Sequence, residues 1–485
     1  MRLAIVHYHL RRGGVTRVIE TALEGLRQAG VEHQVVVLSG EAPYEGSPLE
    51  GVARIIPGLG YRNENSGIAA AEELADALHG AVLDAFEAPA DLWHIHNHSL
   101  GKNVAMPGVL DRLLGDGARL LLQIHDFAED GRPENFLRQR TAIDPAEIPW
   151  YPDAPQVHYA LLNQRDAGFL GETGLAAERL HLLPNAVSAP PAEAEARPPS
   201  FVEPGQRFFL YPTRGIRRKN LGEMLLLAAL TGDECAFAST LAPENPEWLS
   251  IHERWAAFAE QHRLSAKLGI GSDPGVSFGG LIGSADGLLT TSVAEGFGLA
   301  FLEPWLAGKT VSGRNLPEIT SDFAENGIDL GGLYHRLEVP TVSYDTDSFR
   351  AKVSASLERA FSSYGRDLPG DAIEKALSAA TIDGGTDFGR LDEPLQEQAL
   401  EWILADPERA RNHIDVPDLS PVSSELAGQN AAAVMENYST AAYGQRLGDL
   451  YREIIDSPQA VPGALDGDRL LDAFLDPARF TLLRS

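Results

Sequence analysis

A chain of 485 residues is too long for one ordinary hydrophobic core and implies two large domains, with length to spare for a helical extension. Its 69 acidic against 40 basic side chains give a formal net charge of −29, which argues against nucleic acid and anionic membranes as general partners but leaves room for one local basic pocket. The single cysteine, Cys235, excludes an intrachain disulfide framework and a cysteine-rich zinc site, and reads as a small buried apolar residue.

The opening stretch MRLAIVHYHLRRGG carries an apolar run of about five residues, too short for a signal peptide or a spanning helix. No later run reaches ~18 uninterrupted apolar residues, so a cytoplasmic protein with no integral membrane segment is expected. RLAIVH at 2–7 reads as a buried strand, and GVTRVIETALEGLRQAG after it has helical period with a glycine stop. VEHQVVVLSG reads as a strand, AAAEELADALHGAVLDAF as a helix and DLWHIHN as a strand. ARLLLQIHD and QVHYALLN are further short apolar strands, and the alternation runs to RLHLLPNAV at 179–187. Buried strands joined by helices imply a parallel sheet covered on both faces.

SAPPAEAEARPPSFVEPG at 188–205 has no apolar period and reads as an interdomain linker. The alternation then restarts: RFFLYPT as a strand, NLGEMLLLAAL as a helix, and ADGLLTTS and GKTVSG as strands. From about residue 345 the pattern becomes mostly helical, and STAAYGQRLGDLYREII at 439–455 is amphipathic. The predicted division is therefore a first α/β domain over 1–187, a linker over 188–205, and a second α/β domain over 206–438 with a helical insertion. A C-terminal helix and tail over 439–485 return to the first domain.

Four motifs stand out. AEGFGLAFLEP at 294–304 sets Glu295 and Glu303 either side of a glycine turn, between a strand and a predicted helix. Free N–H groups at such a helix entry suit a phosphate, while the carboxylates suit sugar hydroxyls. The other reading is a surface helix with two solvated glutamates. YPTRGIRRKN at 211–220 places Arg214, Arg217, Arg218 and Lys219 after a strand, where a diphosphate would attract them. It also reads as an exposed basic turn. RRGGVTRV at 11–18 puts Gly13 and Gly14 at the first strand-to-helix turn, either for close approach to an anion or for a tight turn alone. In HIHNH, His94, His96 and His98 alternate, so three imidazoles are expected on one strand face, and His125 ends another strand beside Asp126. Ligand-facing and structural roles are both open for these histidines. The chain has no Gly-x-Ser-x-Gly elbow, no Walker loop, no His-Glu-x-x-His and no convincing dinucleotide fingerprint after a strand.

In order and placement these pieces resemble the retaining glycosyltransferases of family four, over roughly residues 1–345 and again at 439–455. The most specific element is the Glu-x7-Glu segment from Glu295 to Glu303 around GFG. The resemblance implies a GT-B fold, two Rossmann-like doubly wound α/β domains facing a cleft, with a C-terminal helical extension. It implies a nucleotide diphosphate sugar (UDP-, GDP- or ADP-linked) bound mainly by the second domain, with no cofactor or metal required. Arg214 and Lys219 would neutralise the diphosphate, Glu295 would contact the donor sugar, and Glu303 the ribose. The turn at Gly296, Phe297, Gly298 and Leu299 would contact sugar and phosphate, and Gly13 and Gly14 would close over the phosphates. His125 would lie beside the donor sugar, with His96, Asn97 and Arg17 on the acceptor side. The sugar would pass to an acceptor hydroxyl on the face from which the phosphate departs.

The sequence departs from the family pattern after Glu303, which is followed by PWLAG, and at SGRNLPEIT, where Arg314 and Glu318 become further site candidates. The first domain carries 15 Lys/Arg against 25 Asp/Glu over residues 1–187 and no basic amphipathic patch, so a small soluble acceptor is expected. Two other functions share the motifs: a GT-B phosphorylase acting on a small glycoside, and a catalytically inert sugar-nucleotide-binding protein.

Overall fold

The computed structural model describes residues 1–61, 67–194 and 196–484, so Glu195 of the linker and Ser485 of the tail lie outside the described residues. The chain divides into two compact units. Unit 1 comprises residues 1–186, 363–365 and 437–475, and unit 2 comprises 187–362, 366–436 and 476–485.

Unit 1 is built on a seven-stranded parallel sheet. Its strands are β1 (Arg2–His7), β2 (Gln34–Ser39), β3 (Ala53–Ile55), β4 (Leu92–His96), β5 (Leu120–Ile124), β6 (Val157–Leu161) and β7 (Leu180–Leu182). Their order across the sheet is β3-β2-β1-β4-β5-β6-β7. The apolar runs form strands because helices cover both faces: Leu3, Ile5, Leu120, Leu121 and Leu122 are fully buried. Helix α1 (Gly14–Gln28) follows β1 directly.

Unit 2 repeats the plan with five parallel strands. They are β8 (Arg207–Arg214), β9 (Cys235–Leu241), β10 (Ala266–Lys267), β11 (Gly287–Thr290) and β12 (Thr310–Gly313), in the order β10-β9-β8-β11-β12. Helix α2 (Leu221–Thr231) is buried along its whole length, and α3 (Pro317–Glu325) follows β12. Strand β9 was not among the predicted elements. Its run CAFASTL is mostly small and hydroxyl side chains around a single Phe, so it lacks the continuous bulky apolar signature of β8. Cys235 is a fully buried strand residue. The mostly helical region beyond 345 also holds two strands of a small antiparallel sheet, Glu338–Pro340 pairing with Gly385–Asp387, which pairs in turn with Thr381–Ile382.

Helix α4 (Thr440–Ile455) belongs to unit 1 and packs against α1. The two helices touch backbone to backbone: a Cβ on Gly444 would lie 2.0 Å from the backbone of Gly25. In each sheet the chain leaves its first strand to one side and later returns to the other. The switch points lie between β1 and β4 and between β8 and β11, where open α/β sheets bind ligands at the carboxyl ends of strands.

Candidate active site

In unit 2, the loops leaving β8 and β11 are tied together by hydrogen bonds. The chain runs from Arg214 through the tight turn Arg217–Lys219 into α2. The Thr291 hydroxyl donates to the carbonyls of Lys219 and Asn220 at 3.0 Å each, and Tyr211 donates to the Lys219 carbonyl at 3.2 Å. The Val293 N–H donates to the Arg218 carbonyl at 2.9 Å. This stitching brings Arg218 and Lys219 onto Glu295. The Lys219 ammonium donates to one Glu295 oxygen, and Arg218 donates to the other at 3.2 Å and to the Ala294 carbonyl at 2.8 Å. Burial lowers the Lys219 pKa, an effect that neighbouring Glu295 opposes.

Arg214 is exposed and pairs with Glu244. Arg217 is held by Glu393, at 2.7 and 3.0 Å, and by the Leu482 carbonyl at 3.0 Å. Of the four clustered cations, Lys219 and Arg218 therefore share Glu295, while Arg217 braces the fold.

The predicted helix after the glycine turn is much shorter than expected. Gly298 has φ +95°, Leu299–Phe301 form a single tight turn, and only Glu303–Leu306 are α-helical. Pro304 lacks the N–H needed to continue the preceding turn, and Gly308, at φ +67°, lies just past the helix end. Glu303 thus begins the helix. The turn itself is well anchored: Phe297 meets Phe323 edge to face at 5.8 Å, and a Cβ on Gly298 would press on Ile319 at 2.9 Å. Gly296 and Leu299 are exposed. Among the described residues no hydrogen bond or ion pair engages the half-buried Glu303 carboxylate, and burial pushes it up to about 7. A carboxylate in this state gains from a ligand that donates hydrogen bonds to it.

Arg314 and Glu318 do not join this site. Arg314 is buried between Glu223 and Asp387, and Glu318 pairs with Arg479 at 2.9 Å. A separate hollow of about 530 Å³ opens beside α3, lined in part by Asn315, Thr320, Ser321 and His335.

In unit 1, histidines gather at the carboxyl ends of β1, β4 and β5. His96 Nδ1 lies 2.9 Å from His125 Nε2, with the rings stacked. His94 lies beside His96 and is saturated by Tyr451 at 2.7 Å and Gln123 at 3.0 Å. His98 does not share their face. The strand ends at His96, and Asn97 takes a left-handed turn with φ +55°, which sends His98 to the Trp150 carbonyl at 3.0 Å. The Asn97 side-chain oxygen accepts from the backbone N–H groups of His125, at 2.7 Å, and Asp126, at 3.2 Å, so it ties β4 to β5. His7 adds a fourth ring, 6.1 Å from His96. Sequence reasoning passed over it, although RLAIVHYH places it at a strand end just as HIHNH places His96. Burial holds His125 at about 4, His7 at about 3 and His96 well below the usual range, so all three are neutral at physiological pH. Among the described residues His7 Nδ1 and His96 Nε2 are buried without a hydrogen-bond partner. Gly13 is extended, with φ 179°, and Gly14 leaves open space at the exposed start of α1, where Arg17 is also exposed.

No protein-family model matches the chain. A mannosylglucosyl-3-phosphoglycerate synthase of Petrotoga mobilis is 26% identical over 351 residues, which cover 66% of each chain, so this chain spans about two thirds of that relative's length. Among solved structures, sucrose-phosphate synthase of Thermosynechococcus elongatus superposes with a TM-score of 0.50 at 14% identity, covering 93% of this chain and 98% of that one. HepE of Anabaena, solved in complex with UDP, gives 0.52 at 11% identity, covering 93% and 100%. A glycosyltransferase of Rickettsia africae gives 0.51 at 15%, covering 94% and 98%. No helix among the described residues is long and apolar enough to cross a membrane. The two parallel sheets and these superpositions establish the GT-B fold of the glycosyltransferases.

Proposed function

We propose that this protein is a retaining glycosyltransferase that moves a sugar from a nucleotide diphosphate sugar to a hydroxyl of a small soluble acceptor. The observation that carries this reading is the arrangement in unit 2. Lys219 and Arg218 converge on Glu295 at one strand end, and Glu303, across the glycine turn, holds a carboxylate with no partner among the described residues. A donor diphosphate would take over Lys219 and Arg218 from Glu295, with Arg214 as a further cation. Glu295, released from part of its ion pairing, would accept from hydroxyls of the donor sugar. Glu303 would accept from the ribose, and the backbone from Gly296 to Leu299 would approach the sugar and phosphate.

As the bond from the anomeric carbon to the phosphate oxygen breaks, negative charge grows on the diphosphate. Lys219 and Arg218 would already be in place to stabilise it. The acceptor oxygen would attack from the same face and pass its proton to the departing phosphate, so no metal and no separate general base are needed. In unit 1, the neutral rings of His7, His96 and His125 would offer hydrogen bonds to hydroxyls of the bound sugars, with Gly13, Gly14 and Arg17 at the start of α1. The name of the Petrotoga relative supports an anionic sugar acid as the acceptor class. Incubation with UDP-, GDP- and ADP-sugars and glycosylated phosphoglycerate, read by NMR of the product's anomeric proton, tests this. A product with the donor's anomeric configuration is expected; an inverted product would remove the same-face mechanism.

A further inference from the structure

One cluster that the transfer reaction leaves unused has the donor set of a metal ion. His158 is the second residue of β6, His181 lies on the neighbouring edge strand β7, and Glu453 lies near the end of α4. One ligand atom from each lies within 4.8 Å of the other two. The imidazoles stack at an interplanar angle of 11°, and His158 Nδ1 lies 2.7 Å from His181 Nε2. His158 is buried, His181 half-buried and Glu453 exposed, so an ion can reach the cluster from solvent. Among the described residues no hydrogen bond or ion pair engages the Glu453 carboxylate.

We propose that His158, His181 and Glu453 bind a borderline divalent cation of the zinc type, which fastens α4 to the edge of the unit 1 sheet. Two imidazoles and one carboxylate suit such an ion, with water completing the shell. On a tetrahedral ion with bonds of about 2.0 Å the two nitrogens sit roughly 3.3 Å apart, so they must part by about half an ångström from their direct contact. Side-chain rotation supplies that. His158 lies toward the amino end of β6, whereas the candidate active-site groups lie at carboxyl ends. The ion is therefore a structural clasp, and the transfer step does not pass through it.

The test is calorimetric titration of tag-free, chelator-stripped protein with zinc chloride, alongside thermal unfolding and the visible spectrum of the cobalt(II) form. One equivalent bound, a raised Tm and d–d bands of low-symmetry cobalt are expected. His181→Ala should abolish all three. Glu453→Gln, an exposed and conservative change, should weaken binding while keeping the fold, and it carries the test if His181→Ala does not fold. No zinc binding by the unmodified protein, or equal binding and Tm shift in both variants, would overturn the proposal.

Discussion

Two of the clusters in unit 2 where cations meet carboxylates differ in how completely they are satisfied. Arg314 is buried, and all five of its N–H groups are used, on Glu223, Asp387 and the His335 carbonyl. Glu223 accepts further from Tyr334 at 2.7 Å and Asn220 at 2.8 Å. At the other cluster Arg218 is 39% exposed, and Glu303 has a carboxylate with no partner among the described residues. A closed network holds structure together. An open one at a strand end has bonding capacity left for a ligand.

The largest effect should come from breaking the closed cluster. Arg314→Met leaves Glu223 and Asp387 buried without their cation, and should cost about 3–5 kcal/mol of folding stability, measured by chemical denaturation. A loss of under about 1 kcal/mol would mean that solvent or a neighbour reaches those carboxylates.

That distinction was not legible in the sequence. Arg314 sits in SGRNLPEIT, which reads like a loop, and its partners Glu223 and Asp387 are remote in the chain. Arg217 looked equivalent to Arg218, yet it is committed to Glu393, which tertiary folding alone brings near. The strands were readable because short apolar runs such as LAIV, VVVL and FFLY, bounded by polar and turn residues, have few uses other than a buried strand. The pairing of the 211–220 and 294–304 motifs was suggested by their common position after strands. The length of the helix at Glu303 was not, because Pro304 and the left-handed Gly298 override the helical period around them. The histidine alternation failed for a similar local reason, the left-handed turn at Asn97.

The next effect in size concerns the open cluster. Lys219→Ala should remove about 2–4 kcal/mol of transition-state stabilisation, read from kcat/KM for transfer. Its stability cost should be far below that of Arg314→Met, because Arg218 still accompanies Glu295. Unchanged turnover would show that the ammonium is, like Arg314, a structural ion.

The smallest effect is a pH dependence. The folded chain keeps a proton on Glu303 up to about 7, which the unfolded chain releases in the ordinary carboxyl range. This contribution to stability is present at low pH and declines as pH rises from that range toward 7. Glu303→Gln should flatten that decline; Glu129, also pushed to about 7 by burial, keeps its own share. Hydroxyls donated by a bound ribose favour the ionised form, so donor affinity should rise as pH passes 7, with proton release visible by calorimetry in buffers of different ionisation enthalpy. Equal slopes in the two proteins would mean that Glu303 is as well satisfied as Glu223.

The central claim is that the Lys219–Arg218–Glu295 cluster receives a nucleoside diphosphate. Calorimetric titration of UDP, GDP, ADP, NAD and inorganic phosphate into the unmodified protein and Lys219→Ala tests it most directly. The account predicts saturable binding of one nucleoside diphosphate that Lys219→Ala loses or greatly weakens. Binding of none of them, or equal binding by both proteins, would contradict it.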